Sequence, residues 1–313
     1  MSPALLPKKG PDVVVVASWN ADFSSRVARP PARGETLMGD GFEVSPGGKG
    51  SNAAVAAARQ GARVAVLARI GRDDFGRMAL ALWTGEGIDT QSVEQAPNEP
   101  SGVAQILTYP DGDNSIVVSP GANAGLGPAQ VVAAAPLFGA CRVVLASFEV
   151  PLPATLAAFR LARAAGARTV LNPAPARALP VELAALVNVL TPNETELATL
   201  SGIEGDRDRA AQALLDQGVA AVLVTLGAQG AALYRAGQPV HTVPGHSMTV
   251  KDTIGAGDAF NGALAAALAR GEPLEVALHW ANAAAALSVR ARGAIAGMPS
   301  FADTAALLQD APP

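Results

Sequence analysis

The segment Asp252-Thr253-Ile254-Gly255-Ala256-Gly257-Asp258-Ala259-Phe260-Asn261-Gly262 carries the sharpest chemistry in the 313-residue chain. Gly255 and Gly257 permit a tight turn into an alanine-rich helix that runs to about Arg270. The unpaired N–H groups of a helix's first turn, at the positive end of its dipole, form an anion hole suited to a phosphoryl group. Asp258, at that helix start, would repel phosphate if binding were its only task. A carboxylate there is suited to take the proton of a hydroxyl that attacks a phosphoryl group held by the neighbouring amides. The same residues also read as a glycine loop with a plain Asp cap.

A second glycine-rich segment, Gly47-Gly48-Lys49-Gly50-Ser51-Asn52, again opens a helix. It is not a Walker A loop, because Gly follows Lys49 and Glu43 stands where the first Gly belongs. It still offers close backbone approach, one compact cation and an Asn amide. The chain has only four lysines (8, 9, 49 and 251), and two of them fall in or beside the glycine-rich segments. A small point charge suits Lys49, although a solvated loop lysine is the plainer alternative. Asn20 and Asp22 follow the first apolar run and offer groups suited to polyol hydroxyls, or they merely end a strand. Asn193 and Glu196 have the spacing of a capping box, and equally could stand near a nucleotide phosphate and its Mg²⁺. Glu149, just past another apolar run, is a hydroxyl acceptor or an ordinary loop residue.

Several chemistries are excluded. Gly245-His246-Ser247-Met248-Thr249 fails as a nucleophile elbow at its last position. Phe260 stands where a dinucleotide fingerprint needs its third Gly. His241, His246 and His279 are too few and badly spaced for a catalytic metal cluster. The single cysteine, Cys141, lies in an apolar run and reads as a buried, inert thiol. A net charge of −4 argues against non-specific nucleic-acid binding. Half the residues are apolar, too many for disorder, yet no apolar run approaches the ~20 residues that span a bilayer. The N-terminal Lys8-Lys9 followed by Val13 to Val16 is too short an apolar stretch for a signal peptide and reads as a first strand. A cytoplasmic protein is expected.

These residues need a scaffold, and the pattern supplies one. Residues 12–18, 63–70, 142–147, 168–171, 187–190 and 221–225 are near-continuous apolar runs, as in parallel strands covered on both faces. Helical patterns over 52–60, 74–83, 153–165 and 207–217 alternate with them, which predicts a doubly wound, mostly parallel α/β sheet with helices on both faces. Residues 23–45 and 101–119 break the rhythm with alternating patterns and a turn signal at Asp111-Gly112-Asp113. They read as β insertions pairing into a small lid over the strand ends of one domain spanning 1–313. Ligands of open α/β sheets sit beyond those ends.

Taken in order, Ser18 to Asp22, Gly47 to Asn52, Leu171 to Arg177, Thr191 to Glu196, Thr225-Leu226-Gly227 and Asp252 to Leu264 resemble the ribokinase/PfkB family of carbohydrate kinases. The resemblance runs from Val13 to about Pro299. It implies a Rossmann-like body with a β lid, and ATP-dependent phosphorylation of the 5-hydroxyl of D-ribose. Carried over by position, it implies Asp258 as base and Gly255, Ala256 and Gly257 as the anion hole. Asn20, Asp22, Gly48, Lys49, Asn52, Glu149 and Asp258 would hold the sugar. Asn193, Thr225, Gly227, Gly230, Gly257 and Asn282 would contact ATP, with Glu196 organising Mg²⁺ indirectly. Asp252, Ile254, Ser288, Ala291, Gly293 and Gly297 match a loop that in the family holds K⁺. Gly297 stands where a serine ligand can occur, so one side-chain ligand is missing. Trp19 is bulkier than the usual aliphatic residue and should point away from the sugar if Asn20 points in. The resemblance also implies a homodimer through the lid. The alternatives are a kinase for another sugar or a nucleoside, and a non-catalytic sugar- or nucleotide-binding regulator.

Overall fold

Valine- and leucine-rich runs with no polar face must be covered on both sides, and a layered sheet does that. The computed structural model describes residues 10–111 and 113–310. Lys8, Lys9 and the Gly112 of the expected turn lie outside them. In chain order the strands are β1 (Val13–Val16), β2 (Asn20–Arg26), β3 (Phe42–Gly47), β4 (Val64–Gly71), β5 (Asp89–Ala96), β6 (Gly102–Thr108) and β7 (Asn114–Ser119). They continue as β8 (Val143–Ser147), β9 (Arg168–Asn172), β10 (Val189–Leu190), β11 (Val222–Thr225), β12 (Ala231–Tyr234) and β13 (His241–Val243). The large sheet has the order β13-β12-β11-β10-β9-β8-β1-β4-β5. It is parallel from β11 through β5, and β12 and β13 add an antiparallel edge.

Alternate residues of β1 feed two cores. Val13 and Val15 pack with Trp19, Ala53 to Ala57 and Phe260 on one face. Val14 and Val16 pack with Phe138, Phe159 and Leu171 on the other. Trp19 is fully buried, edge-to-face with Trp83 at 5.7 Å, which takes its bulk into the core. Cys141 is buried as expected. Helix Lys49–Arg59 and helix Ala256–Ala269 lie against each other because Gly262 has no side chain. A Cβ there would sit 2.4 Å from the Ala53 carbonyl oxygen and 2.5 Å from the Ala56 Cβ.

The two β insertions do pair into one sheet, with the order β3-β2-β6-β7. Its boundaries differ from expectation, since it begins at Asn20 and reaches Gly47. The reason is backbone pairing: Asn20 lies opposite both Gly47 and Gly102, so the polar residues after β1 are already the first residues of the lid. Register sorts the two faces. Asp22, Ser45, Ala104 and Val118 share one cross-strand row, and Phe23, Val44, Gln105 and Val117 share the next.

Replacing Gly262 with Val should lower stability by about 1–3 kcal/mol through overpacking of the two helices. A thermal-melt comparison checks this; an unchanged midpoint would mean the helices are not held this close.

Candidate functional site

Loops after β1 and β8 and the starts of two helices meet at the carboxyl edge of the large sheet. A small cavity there is lined by Lys49, Gly50, Ser147, Asn172, Asp258 and Asn261, among others. The larger concavity, about 440 Å³, lies on the lid against Phe23, Ser25, Val103, Gln105, Ile106 and Leu107 and contains no ionisable group. The ionisable groups Lys49 and Asp258 line the smaller one.

Glycines let the backbone close around it. Gly48 has φ +91°, and a Cβ would meet the Ser18 carbonyl oxygen at 2.9 Å; one at Gly50 would lie 2.5 Å from the Ala17 Cα. The Lys49 helix is thus seated directly on the β1–β2 junction. Its Lys49 N–H and the Ser18 hydroxyl both donate to Glu149 Oε2, at 2.8 and 2.7 Å. Asp22 lies against Gly47, where a Cβ would come within 2.2 Å of its carboxylate.

Asp258 is buried, in the first turn of helix Ala256–Ala269, and Asn52 Nδ2 donates to its Oδ2 at 2.8 Å. That bond turns Asn52 Oδ1 into a buried acceptor with no partner. Burial pushes the Asp258 carboxyl up to about 6; Lys49 and the Asn52 hydrogen bond pull it down, while Glu149 and Glu196 push it further up. Asp22 is pushed up to about 7, by burial first and then by Glu149 and Asp258, with Lys49 opposing. Lys49 in turn is held above its ordinary value, chiefly by Asp258. Four carboxylates share one cation.

Gly255 has φ +82° and its Cβ position lies 2.7 Å from the Ala294 Cβ, so only glycine starts this helix here. The N–H groups of Gly257 and Asp258 have no acceptor among the described residues, whereas that of Ala256 is spent on the Thr253 carbonyl at 3.2 Å. Of the three expected anion-hole donors, the Gly255 and Gly257 N–H groups are free and that of Ala256 is not, and the Asp258 N–H is free beside them.

Asn193 and Glu196 form the capping box of helix Glu194–Ser201, with reciprocal bonds of 2.7 and 2.9 Å. Asn193 bridges to Thr225. Gly227 and Gly230 both adopt positive φ in the turn after β11, and Gly230 packs on the Val243 carbonyl. Asn282 donates to the Pro244 carbonyl at 2.9 Å. Gly230 and Asn282 thus meet at the Val243–Pro244 backbone.

Asp252 accepts from Ile254 N–H through Oδ1 at 3.0 Å and from Gly293 N–H through Oδ2 at 2.8 Å. A Cβ at Gly297 would lie 2.3 Å from the Ser288 carbonyl oxygen, so a serine would not fit this backbone. Asp252, Ile254, Ser288, Gly293 and Gly297 are brought together, with Ala291 in the connecting turn. The three histidines also approach one another, with the His241 and His279 rings 5.7 Å apart. Among the described residues no group of three His, Cys, Asp or Glu could hold a metal ion.

Sequence reasoning missed several supporting residues. Ser18 orients Glu149. Asn261 accepts from the Thr191 hydroxyl at 2.6 Å and donates to the Gly257 carbonyl at 2.8 Å. Arg59 donates to the Ile295 and Met298 carbonyls and pairs with Glu86, tying down the turn beneath Gly255. Asn123 holds the Trp19–Asn20 backbone. Ser18 and Asn261 could have been noticed as polar residues in apolar surroundings. Arg59 has no local signal.

The model of the pfkB family carbohydrate kinases matches residues 11–300. The ribokinase of Haemophilus influenzae is 37% identical over 303 residues, covering 96% of this chain and 99% of that protein. The deoxyribokinase of Salmonella typhi is 36% identical, covering 93% and 96%. The structure of Arabidopsis thaliana ribokinase complexed with ribose and ATP superposes with a TM-score of 0.90 at 32% identity, covering 96% of this chain and all of that one.

Replacing Lys49 with Met should move the titration midpoints of Asp22 and Asp258 upward together, because that ammonium is what opposes burial at both. Carbon-13 carboxyl NMR reads this; unchanged midpoints would show that Lys49 does not hold the cluster.

Proposed function

The chain belongs to the pfkB family of carbohydrate kinases and is an ATP-dependent carbohydrate kinase, and from that premise we propose that it phosphorylates D-ribose at the 5-hydroxyl. The observation that carries the reading is Asp258. It is a buried carboxylate next to free helix-start N–H groups, with Asn52 Oδ1 beside it as an acceptor still lacking a hydroxyl.

In the proposed reaction the sugar enters between the cavity and the row of lid residues that contains Asp22 and Ala104. Asn20, Asp22, Asn52 and Glu149 take its hydroxyls, with Gly48 and Lys49 closing the backbone around it. Asp258 accepts the proton of the 5-hydroxyl through Oδ1 while Asn52 holds Oδ2. A base titrating near 6 is ionised at neutral pH yet basic enough to take a proton in the transition state. The N–H groups of Gly257 and Asp258, the glycine turn at Gly255 and the Lys49 ammonium face the charge that develops on the transferring phosphoryl group. ATP lies along Asn193, Thr225, Gly227, Gly230 and Asn282. Lid closure excludes water, which protects ATP from hydrolysis. The body and the lid work as one domain.

Two ions belong to the reading. A hard divalent ion such as Mg²⁺ keeps most of its water and is held mainly by substrate phosphates, which fits a site without a carboxylate cage. The Glu196 carboxylate acts electrostatically on Lys49, and its assigned role is to orient the ion's water shell. A K⁺ ion takes oxygen donors, and the Asp252 carboxylate and the Ser288 carbonyl, which accepts no hydrogen bond among the described residues, supply them. Such ions would add positive potential beside the anion hole.

The deoxyribokinase relative makes 2-deoxyribose the second substrate to test. Asn20 favours ribose, since a missing hydroxyl would leave a buried polar group unpaired at about 1–3 kcal/mol. A homodimer through the lid is part of the proposal. Phe42, Val44 and Val117 expose apolar surface on the lid face opposite Asp22. No helix among the described residues is long and apolar enough to cross a membrane. A cytoplasmic location is part of the same proposal, since the co-substrate is ATP.

The test is ADP formation from Mg·ATP with ribose, 2-deoxyribose or no sugar, in KCl and in NaCl. Ribose-dependent ADP should exceed the 2-deoxyribose rate, depend on K⁺, and fall by about 10²–10⁴ in Asp258→Asn. Near-normal turnover of Asp258→Asn would exclude the base assignment. A higher rate with 2-deoxyribose would reassign the substrate.

A further inference from the structure

We propose that Asn123 decides which end of the Asn20 carboxamide meets the sugar, and so acts as a positioning residue for sugar recognition. The inference rests on the reading of Asn20 as a sugar contact. The Trp19 N–H can only donate, and it donates to Asn123 Oδ1 at 2.9 Å. That fixes the Asn123 amide with its nitrogen on the other side. There its two Nδ2 protons serve three acceptors, the carbonyls of Trp19 at 2.7 Å and Pro120 at 2.9 Å and, as the longer branch of a shared bond, Asn20 Oδ1 at 3.2 Å. A carboxamide met by an N–H donor must present its oxygen. Asn20 therefore turns its Nδ2 away from Asn123, and that nitrogen has no acceptor among the described residues. Asn20 comes to the substrate as a donor, so the sugar oxygen it reads is used as an acceptor.

The contact is built into the fold. Asn123 and Asn20 are 2% and 3% exposed, so neither amide can exchange its partner for bulk water. A Cβ at Gly102 would lie 2.3 Å from both Asn123 Nδ2 and Asn20 Oδ1, so the absence of a side chain there is what lets the two amides meet. Asn20 opens β2, Gly102 opens β6, and Asn123 sits in the turn Gly121–Gly125 just after β7. One carboxamide thus links three crossings between body and lid to the orientation of a sugar contact.

A double-mutant cycle tests it, using kcat and KM for ribose and for ATP in the full-length enzyme. Asn20→Ala and Asn123→Ala should each raise the ribose KM about tenfold, equivalent to about 1.4 kcal/mol, with the ATP KM unchanged. The double variant should be no worse than Asn20→Ala, because Asn123 acts through Asn20. Asn123→Asp keeps the acceptor for Trp19 N–H but loses the donor, and should reproduce the rise in ribose KM. If Asn123→Ala does not fold, Asn123→Asp and Gly102→Ala complete the same cycle. Factors that multiply in the double variant overturn the proposal. A wild-type enzyme with no ribose-dependent ADP overturns the ribose reading, and this proposal with it.

Discussion

Everything at the site depends on keeping the Asp258 carboxylate charged where water does not reach it. Burial, and after it Glu149 and Glu196, push it up, and Lys49 and Asn52 pull it back. Lys49 can do so because Gly48 and Gly50 bring its helix onto the β1–β2 junction, and Asn52 because Gly262 brings its helix against that of Asp258. The carboxylate, the cation and the close helix contact are one device. Its stability consequence has a definite sign. Asp22 and Asp258 titrate in the folded chain at about 7 and about 6, above their ordinary 3.8. The fold therefore binds more protons than the unfolded chain over that range, and their contribution to stability falls as pH rises from about 4 to about 7. Lys49 is raised as well, and the stability it contributes is fully present below its ordinary range and is lost only as pH rises through its folded value.

The same close approach links the site to the lid. Asn20 and Asp22 belong to a lid strand, while Lys49, Asn52 and Asp258 belong to helices of the body. In the proposed reading a sugar held by both sets joins the two sheets, so binding and closure become one event. The hydrogen bonds of Asn123 and Ser18 lie at that junction, on the chain segment between β1 and β2. Their placement explains why buried polar side chains stand there among apolar neighbours.

Much of this is legible in the sequence because it is local. Apolar runs of four to five residues gave β1, β8 and β11 within a residue or two, and glycine pairs marked both helix starts. The capping box of Asn193 and Glu196 is written in its spacing and is present. The strands of mixed polarity were harder. β5, with Asp89, Gln91 and Glu94, has one half-buried edge and no clean period. The lid starts three residues early because backbone pairing across distant segments, not side-chain type, sets where β2 begins. Arg59 and Asn123 act on segments 236 and 104 positions away, a distance no window of residues spans. The commitment of the Ala256 N–H to Thr253 is likewise a turn geometry that composition does not reveal.

The central claim, a tuned carboxylate base, is tested most directly by the pH dependence of kcat/KM for the sugar. Asp258 and Asp22 interact, so they titrate as a pair. The account predicts activity that climbs with pH along an acid limb lying between about 6 and about 7, then levels off. A rate independent of pH from about 5 to about 8 would contradict it, since a base that works in that range must gain and lose its proton there.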